Sequence, residues 1–573
     1  MTDFIKDRLP AFSCAIVCLL FLLAGCAGQQ APEGGPVDTV PPEIASVYPA
    51  PNTVNFKDSR IAIEFSEYVD RSSVEKAVFI SPFVSDIEYA WSGREVEIII
   101  HGGLKANTTY VLTLGTDVVD YNNHNRLAAA FTLAFSTGNV IDRGAIEGHV
   151  YDDKPEGVMI FAYRLNDIRP DTLNPAVTKP DYITQTGASG TFALSHLAFG
   201  TYRVFAVRDE YRDLVYTPEV DAVGTLTKDL VVSERDTLSS GAAFTLALED
   251  TSAPRLLSAE ARDVRHVILK FSEAIDTSMA PGLSRAISIT DTLSGRALDV
   301  TEAFIENPQT ALSMTVCTKE QIRDAGYRVS VTAVRDRALH PIAPSASSLV
   351  FRGSDRPDTL APVLIAGSMR DTLSHIELDD HFRFDFSDAL KPSVLHVFSI
   401  RLGDSLDVPG TIARPTISGV VLTPNAPLLP KSRYSITIRY DSVRSLTSGS
   451  ALKDSVRTVR YTTIDPENFS SLEGRIDSPV LSDTAVTIVE AFNTADKTAV
   501  VRRSVATKDR TFSFQRLAEG MYRLRAFSDM NNNGVLDAGR PFPFRYSEPF
   551  VVGRDTVKVR ARWPVEGVVI NSR

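Results

Sequence analysis

The sequence predicts an all-β chain, a series of β-sandwich modules. Short segments that alternate apolar and polar residues recur along its length, and two different sets of them repeat at module-sized intervals. At 573 residues the chain exceeds what one hydrophobic core sustains. Domains of roughly 100–150 residues imply about three to six. Hydrophobic residues at 43% and charged residues at 23% are proportions of packed globular domains. A formal net charge of −11, without long single-sign runs, gives no basic footprint for phosphate backbones, so no nucleic-acid partner is expected.

The first repeat opens on Asp-Thr followed by proline: Asp38-Thr39-Val40-Pro41-Pro42, Asp250-Thr251-Ser252-Ala253-Pro254 and Asp358-Thr359-Leu360-Ala361-Pro362. Proline fixes φ near −65° and has no N–H to donate, which suits the start of an edge strand. Downstream, an apolar strand closes on Phe-Ser-acid in each unit: Phe65-Ser66-Glu67, Phe271-Ser272-Glu273 and Phe386-Ser387-Asp388. A later alternating strand opens on tyrosine: Tyr110, Tyr327 and Tyr434. Units of about 100 residues with this alternation have the size and pattern of Ig-like sandwiches. They are expected at 38–139, 250–356 and 358–465. Glu67, Glu273 and Asp388 occur once per unit with no paired acid in the motif, so a strand-end role is expected rather than acid–base chemistry.

A second repeat fills 143–248 and 469–573. Phe192, Leu197, Gly200, Tyr202, Arg203, Ala206 and Asp209 match Phe512, Leu517, Gly520, Tyr522, Arg523, Ala526 and Asp529 at constant spacing. The two copies open alike, Ile146-Glu147-Gly148 against Leu472-Glu473-Gly474. Both read as small sandwiches of a second kind.

Residues 1–25 read as a removable export segment, with Lys6 and Arg8 ahead of an apolar stretch from Ala11 to Leu23. Leu23-Ala24-Gly25-Cys26 resembles the lipobox of bacterial lipoprotein signal peptides, and that resemblance implies acyl chains on Cys26 and anchorage in a membrane. Residues 26–37, rich in Gly, Pro and Gln, form a flexible tether. Ala27 is not the aspartate associated with inner-membrane retention, which favours the outer membrane and leaves the exposed side open. Cys14, Cys18 and Cys26 belong to this region, so Cys317 alone remains in the body of the chain. The modules must therefore fold without an internal disulfide, and Cys317 is expected to be a small core side chain.

Further motifs sharpen the picture. Gly34 to Pro42, Phe65 to Asp70, Leu104 to Tyr110 and Phe135-Ser136-Thr137-Gly138 together resemble lipoproteins of Bacteroidota type. Those proteins carry bacterial Ig-like domains followed by a prealbumin-like, carboxypeptidase-regulatory-type sandwich. The resemblance covers residues 23–220 well and the later units more loosely. It implies a cell-envelope location, a prealbumin-like fold for the second module type and a structural or binding role; it supplies no ligand.

The sharpest local motif is Asp529-Met530-Asn531-Asn532-Asn533-Gly534-Val535-Leu536-Asp537. Oxygen-bearing side chains at positions one, three and five, glycine at six, the Val535 carbonyl at seven and an acid at nine match a calcium loop. Position twelve is Arg540 instead of an acid, so a weak calcium site is expected from Asp529, Asn531, Asn533, Val535 and Asp537. In the equivalent turn Asp209-Glu210-Tyr211-Arg212-Asp213, Tyr211 replaces the oxygen donor at the third position and no glycine follows, so no calcium is expected there. His375-Ile376-Glu377-Leu378-Asp379-Asp380-His381 is read as a solvated turn before a strand, and Trp91 and Trp563 lie in different units. No HExxH, GxSxG, P-loop or dinucleotide fingerprint occurs. The expectation is a non-catalytic envelope lipoprotein, an extended scaffold or adhesin-like protein presenting loops to a protein or polysaccharide partner. A carbohydrate-binding accessory of a glycan-uptake system is the alternative, and a hydrolase with a divergent site ranks third.

Overall fold

The computed structural model describes residues 38–571 apart from 83, 85, 168, 280–281, 366–371, 453–455 and 497–500. The export segment, Cys26 and the tether lie outside the described residues. Strands make up 47% of the protein and helices 6%, as the all-β expectation requires.

In the first Ig-like module one sheet is ordered Ile44–Tyr48, Arg60–Phe65, Glu95–Ile100, Ile87–Ser92, and the facing sheet Val78–Ser81, Thr109–Leu114, Phe131–Ser136. Period-two alternation sends Ile61, Ile63, Phe65, Val96, Ile98, Leu112, Leu133 and Phe135 into a common core. A helix of about two turns, Arg71–Ala77, bridges the sheets. Asp70 caps it, its side chain accepting the Ser73 N–H at 2.9 Å. The second Ig-like module repeats the plan with four strands in each sheet. The third departs from it: Thr372–Ile376 runs parallel to Val456–Thr463 in the opposite sheet, while Val363 to Ile365, with Leu364 bridged to Phe386, keep the original pairing.

The repeated motifs are now physically explained. In each Ig-like module the serine of Phe-Ser-acid clamps the residue that follows the opening proline. Ser66 Oγ accepts the Glu43 N–H at 2.9 Å, Ser272 Oγ that of Arg255 at 2.9 Å and Ser387 Oγ that of Val363 at 3.0 Å. Each serine N–H returns a bond to the same residue's carbonyl at 2.8, 2.9 and 2.9 Å. Since proline donates nothing, the next residue offers the first N–H available to tie the opening segment down. The strand-opening tyrosines do equivalent work. Tyr110, Tyr327 and Tyr434 are buried rings whose hydroxyls accept the N–H of Lys105, Ile322 and Leu429 at 2.7, 3.0 and 2.7 Å. These are tyrosine corners, each reaching five residues back.

The second module type pairs a three-stranded sheet with a larger one. In both copies a long closing strand lies parallel to the first: Leu238–Thr245 beside Gly144–Tyr151, and Val565–Asn571 beside Phe469–Asp477. Glycine is required on the first strand of each. A Cβ on Gly148 would stand 2.2 Å from the Ala242 carbonyl and 2.6 Å from the Phe192 ring; on Gly474, 2.4 Å from the Val568 carbonyl and 2.6 Å from the Phe512 ring. Tyr202 and Tyr522 each donate to the carbonyl four residues earlier, at 2.6 and 3.0 Å.

The strung-out arrangement expected from the sequence is not what forms. The fifth module turns back onto the second. Ile488, Phe527, Phe550 and Val552 pack with Leu536 against Tyr151 and Ala243, and backbone bonds join Thr225 N–H to Ala538 O at 2.9 Å and Ser547 N–H to Leu226 O at 3.1 Å. Arg540 pairs with Glu249 at 2.6 Å. The second, third, fourth and fifth modules thus form a closed circuit, in which apolar residues on the outer faces of the second and fifth modules are buried against each other. The fourth and fifth modules are tied by Arg516 to Glu377 and Asp379, and by Arg502 to Glu377.

Candidate functional site

The loop 529–537 leaves the strand Gly520–Asp529 at the seam between the second and fifth modules. Asp529, buried at the strand end, accepts the N–H of Asn533 at 3.1 Å and of Gly534 at 2.9 Å. Asn531 Oδ1 accepts the Asn533 N–H at 3.0 Å and Asn533 Oδ1 the Val535 N–H at 2.7 Å. Asp537 Oδ2 receives the side-chain amides of Asn531 at 2.7 Å and Asn533 at 3.4 Å. The predicted ligands Asp529, Asn531, Asn533 and Asp537 are therefore gathered into one turn, with Val535 between them and its side chain exposed. Leu536 and Ala538 on the same segment dock onto the second module.

Sequence reasoning missed a member of this loop. Glu548, 5% exposed, accepts the N–H of Met530 at 2.6 Å and of Asp537 at 3.1 Å, clamping both ends of the turn. Burial raises its carboxyl above the ordinary glutamate range, and the negative charges of Asp537 and Asp529 push the same way. The acid that Arg540 fails to provide at position twelve is thus present from another part of the chain. The first copy shows what the clamp does alone. Asp221 accepts the N–H of Glu210 at 3.0 Å and of Thr217 at 2.7 Å, at the same two loop positions, while Asp209 accepts Leu214 at 2.9 Å. A buried acid closes the turn in both copies, and Asp213 Oδ1 accepts the Val215 N–H at 3.1 Å as Asn533 Oδ1 accepts that of Val535; the second copy adds the side-chain oxygens of Asn531 and Asp537. The donor set of Asp529, Asn531, Asn533, Asp537 and the Val535 carbonyl, two carboxylates with two amide oxygens and a carbonyl, has hard-oxygen chemistry that could hold calcium.

The other flagged residues resolve as follows. Glu377 and Asp379 of the His375–His381 segment are engaged by arginines of the last module, and Arg516 holds Asp379 below the usual carboxylate range. The side chain of His375 lies outside the described residues. Trp91 is capped by the Arg71 guanidinium 5.3 Å from its ring centre and donates to Glu75 at 3.1 Å, whereas Trp563 is exposed. Cys317 corrects the expectation made for it: it is fully buried, but with Phe304 it faces Ala389, Ile417 and Leu446 of the next module instead of its own core. Glu67, Glu273 and Asp388 do end their strands, yet they acquire acidic neighbours from elsewhere in the fold. Burial raises Glu67 and Glu273, with Asp120 and Asp38 acting on the first and Asp250 and Asp336 on the second.

Comparison with known proteins places the first module. Residues 38–137 match the family model described as a bacterial Ig-like domain. No curated protein matches the chain. Among solved structures, the N-terminal part of the bacterial S-layer protein SbsC aligns with 12% identity and a TM-score of 0.17, covering 37% of this chain and 44% of that one. Domains 1–6 of the same surface layer protein align at 10% identity over 91% of this chain and 64% of that one, with a TM-score of 0.16. A form of the major pilin subunit BcpA of Bacillus cereus aligns at 8% identity over 75% and 100%, with a TM-score of 0.13. The chain is a multidomain β-sandwich protein that carries a bacterial Ig-like domain.

Proposed function

We propose that this protein is a non-catalytic scaffold of the bacterial cell envelope, anchored in the outer membrane by acyl chains on Cys26, which holds loops in fixed positions for a protein or polysaccharide partner. The observation that carries the scaffold role is the closed circuit: buried apolar seams between the second and fifth modules and between the third and fourth, with the arginine–carboxylate pairs that tie the fourth to the fifth, fix the relative placement of four sandwiches, which independent beads on a string would not have. The lipobox-like Leu23 to Cys26 supports the anchor. Radiolabelled palmitate should enter the protein and should be lost in Cys26→Ala, with the protein moving to the soluble fraction; labelling that survives the substitution rejects the anchor. Retention on polysaccharide gels would instead favour the carbohydrate-binding alternative.

Within this reading the loop 529–537 takes calcium, through Asp529, Asn531, Asn533, the Val535 carbonyl and Asp537, with Glu548 bracing the turn. Calcium would supply a positive centre that holds these oxygens together and stiffens the segment docked on the second module. Titrating calcium into the protein should raise its melting temperature, and Asp529→Asn should abolish the rise. No shift at about 10 mM calcium, above the Kd range of weak extracellular modules, rejects it.

A further inference from the structure

Between the second and third Ig-like modules a group of charged side chains is shut off from solvent. His266, fully buried at the start of the strand His266–Phe271, has Nδ1 2.9 Å from each oxygen of Asp263 and 4.0 Å from Asp358 Oδ1. Its Nε2 lies 3.3 Å from Thr447 Oγ1 and 3.6 Å from Asp388 Oδ1. The carboxyl side chains of Asp263, Asp358 and Asp388 are only 5%, 4% and 3% exposed. Asp263 and His266 belong to the second Ig-like module, Asp388 and Thr447 to the third, and Asp358 to the short segment joining them, so the group straddles the junction.

Two features of this group are physically unfinished. Both oxygens of Asp358, Oδ2 of Asp388 and Nη2 of Arg262 have no hydrogen-bond partner. A buried carboxylate left in this way is costly, and such groups are rare unless something else completes them. The charges do not balance either. Three aspartates face one guanidinium, that of Arg262, whose Nε is 3.2 Å from Asp263 and whose Nη2 is 4.0 Å from Asp388. Arg262 also stands 3.9 Å from Glu306, so a proton on His266 would still leave an excess of negative charge, which a divalent cation offsets.

We propose that this junction is a site for a divalent transition-metal cation of the zinc class, ligated by Asp263, His266 Nδ1 and Asp358. Three potential donor atoms from these residues lie within 4.8 Å of one another. The observed separations of 2.9 and 4.0 Å bracket the roughly 3.4 Å between neighbouring ligands of a tetrahedral centre with bonds of about 2.1 Å. With neutral imidazole, Nε2–H donates toward Thr447 and Asp388, which leaves the Nδ1 lone pair facing Asp263 and Asp358. A carboxylate behind the far nitrogen is the arrangement that orients metal-bound histidines. One imidazole with carboxylates suits zinc or its neighbours, whereas calcium takes oxygen donors. Bound there, the ion cross-links two modules and the segment between them, fixing their angle next to the apolar contact of Phe304 and Cys317 with Ala389 and Leu446.

The test is calorimetric titration of zinc into the chelator-treated intact protein and its variants. One zinc site should weaken at least tenfold in both Asp358→Asn and His266→Gln. It should persist in His340→Gln, which removes the histidine of the other acid–histidine group, Asp250, Asp336 and His340. Asp358→Asn sheds an unpaired buried charge, so its metal-free melting temperature should not fall, and zinc should raise the melting temperature of the parent by more than that of this variant. Absence of zinc binding, or binding and stabilisation unchanged in Asp358→Asn, overturns the proposal.

Discussion

Arg203 offers a way to test whether the fifth module truly closes on the second. Its side chain is 5% exposed, and Nε and Nη2 bind the two Asp229 oxygens at 2.9 and 2.8 Å, while Nη1 donates to the Pro170 carbonyl at 2.7 Å. The guanidinium also stands 3.6 Å from the ring centre of Phe544 in the fifth module, whose Tyr546 hydroxyl donates to Asp229 at 3.0 Å. Removing one partner of a buried pair costs about 3–5 kcal/mol. Asp229 remains 18% exposed and keeps the Tyr546 hydroxyl, so Arg203→Ala should fall near the lower end, about 3 kcal/mol. The share that crosses between modules is the cation–π contact, worth about 2 kcal/mol when desolvated. Equilibrium unfolding of Arg203→Ala, Phe544→Ala and the double variant isolates it, with an expected coupling of about 1–2 kcal/mol. Small-angle scattering on the same proteins should show a larger maximum dimension in the double variant. Additivity to within about 0.3 kcal/mol, with unchanged scattering, would mean the two side chains never meet and the closed circuit is wrong.

Other consequences are equally specific. Tyr327→Phe removes the acceptor of the Ile322 N–H and should destabilise the second Ig-like module by about 1–3 kcal/mol, read by thermal unfolding. Gly474→Ala forces a methyl group against the Val568 carbonyl and the Phe512 ring, and should cost about 1–3 kcal/mol, read by thermal unfolding. For Asp120, burial alone would raise the carboxyl, but the N–H groups of Asn123, Asn125, Asn122 and His124 outweigh it and the net shift is downward. With the folded value below the unfolded one of about 3.9, the stabilisation is complete above that pH and is lost as the pH falls through the folded value. Acid titration of the melting temperature should therefore lose part of its slope below pH ~4 in Asp120→Asn; an unaltered slope would refute the assignment.

What the sequence made legible was whatever repeats or stays local. Alternation and the Asp-Thr-Pro, Phe-Ser-acid and tyrosine motifs mark strands because a strand's side-chain period is written in consecutive residues. The partners of those motifs were hidden by distance. Ser66 reaches back 23 residues to Glu43, and no local pattern announces that bond. Glu548 stands 11 residues beyond Asp537, outside any loop template; the only hint was the missing acid at position twelve. Asp358 and Asp388 read from the sequence as an opening residue and a strand-end acid, but their convergence on His266 depends on how two modules lean together. The closed circuit was invisible for the same reason: Tyr151, Phe527 and Phe550 look like ordinary strand aromatics until the opposing sandwich arrives.

The parallel alignment of the first strand with a long closing strand in the second and fifth modules has a mechanical consequence. Tension entering one of these sandwiches through its first strand and leaving through its closing strand would pull Gly144–Tyr151 and Leu238–Thr245 in opposite directions along their shared edge. The bonds between them would be loaded in shear, many at once, instead of being unzipped singly from one end. A protein tethered at one end and gripped by a partner elsewhere would resist extension through those two edges.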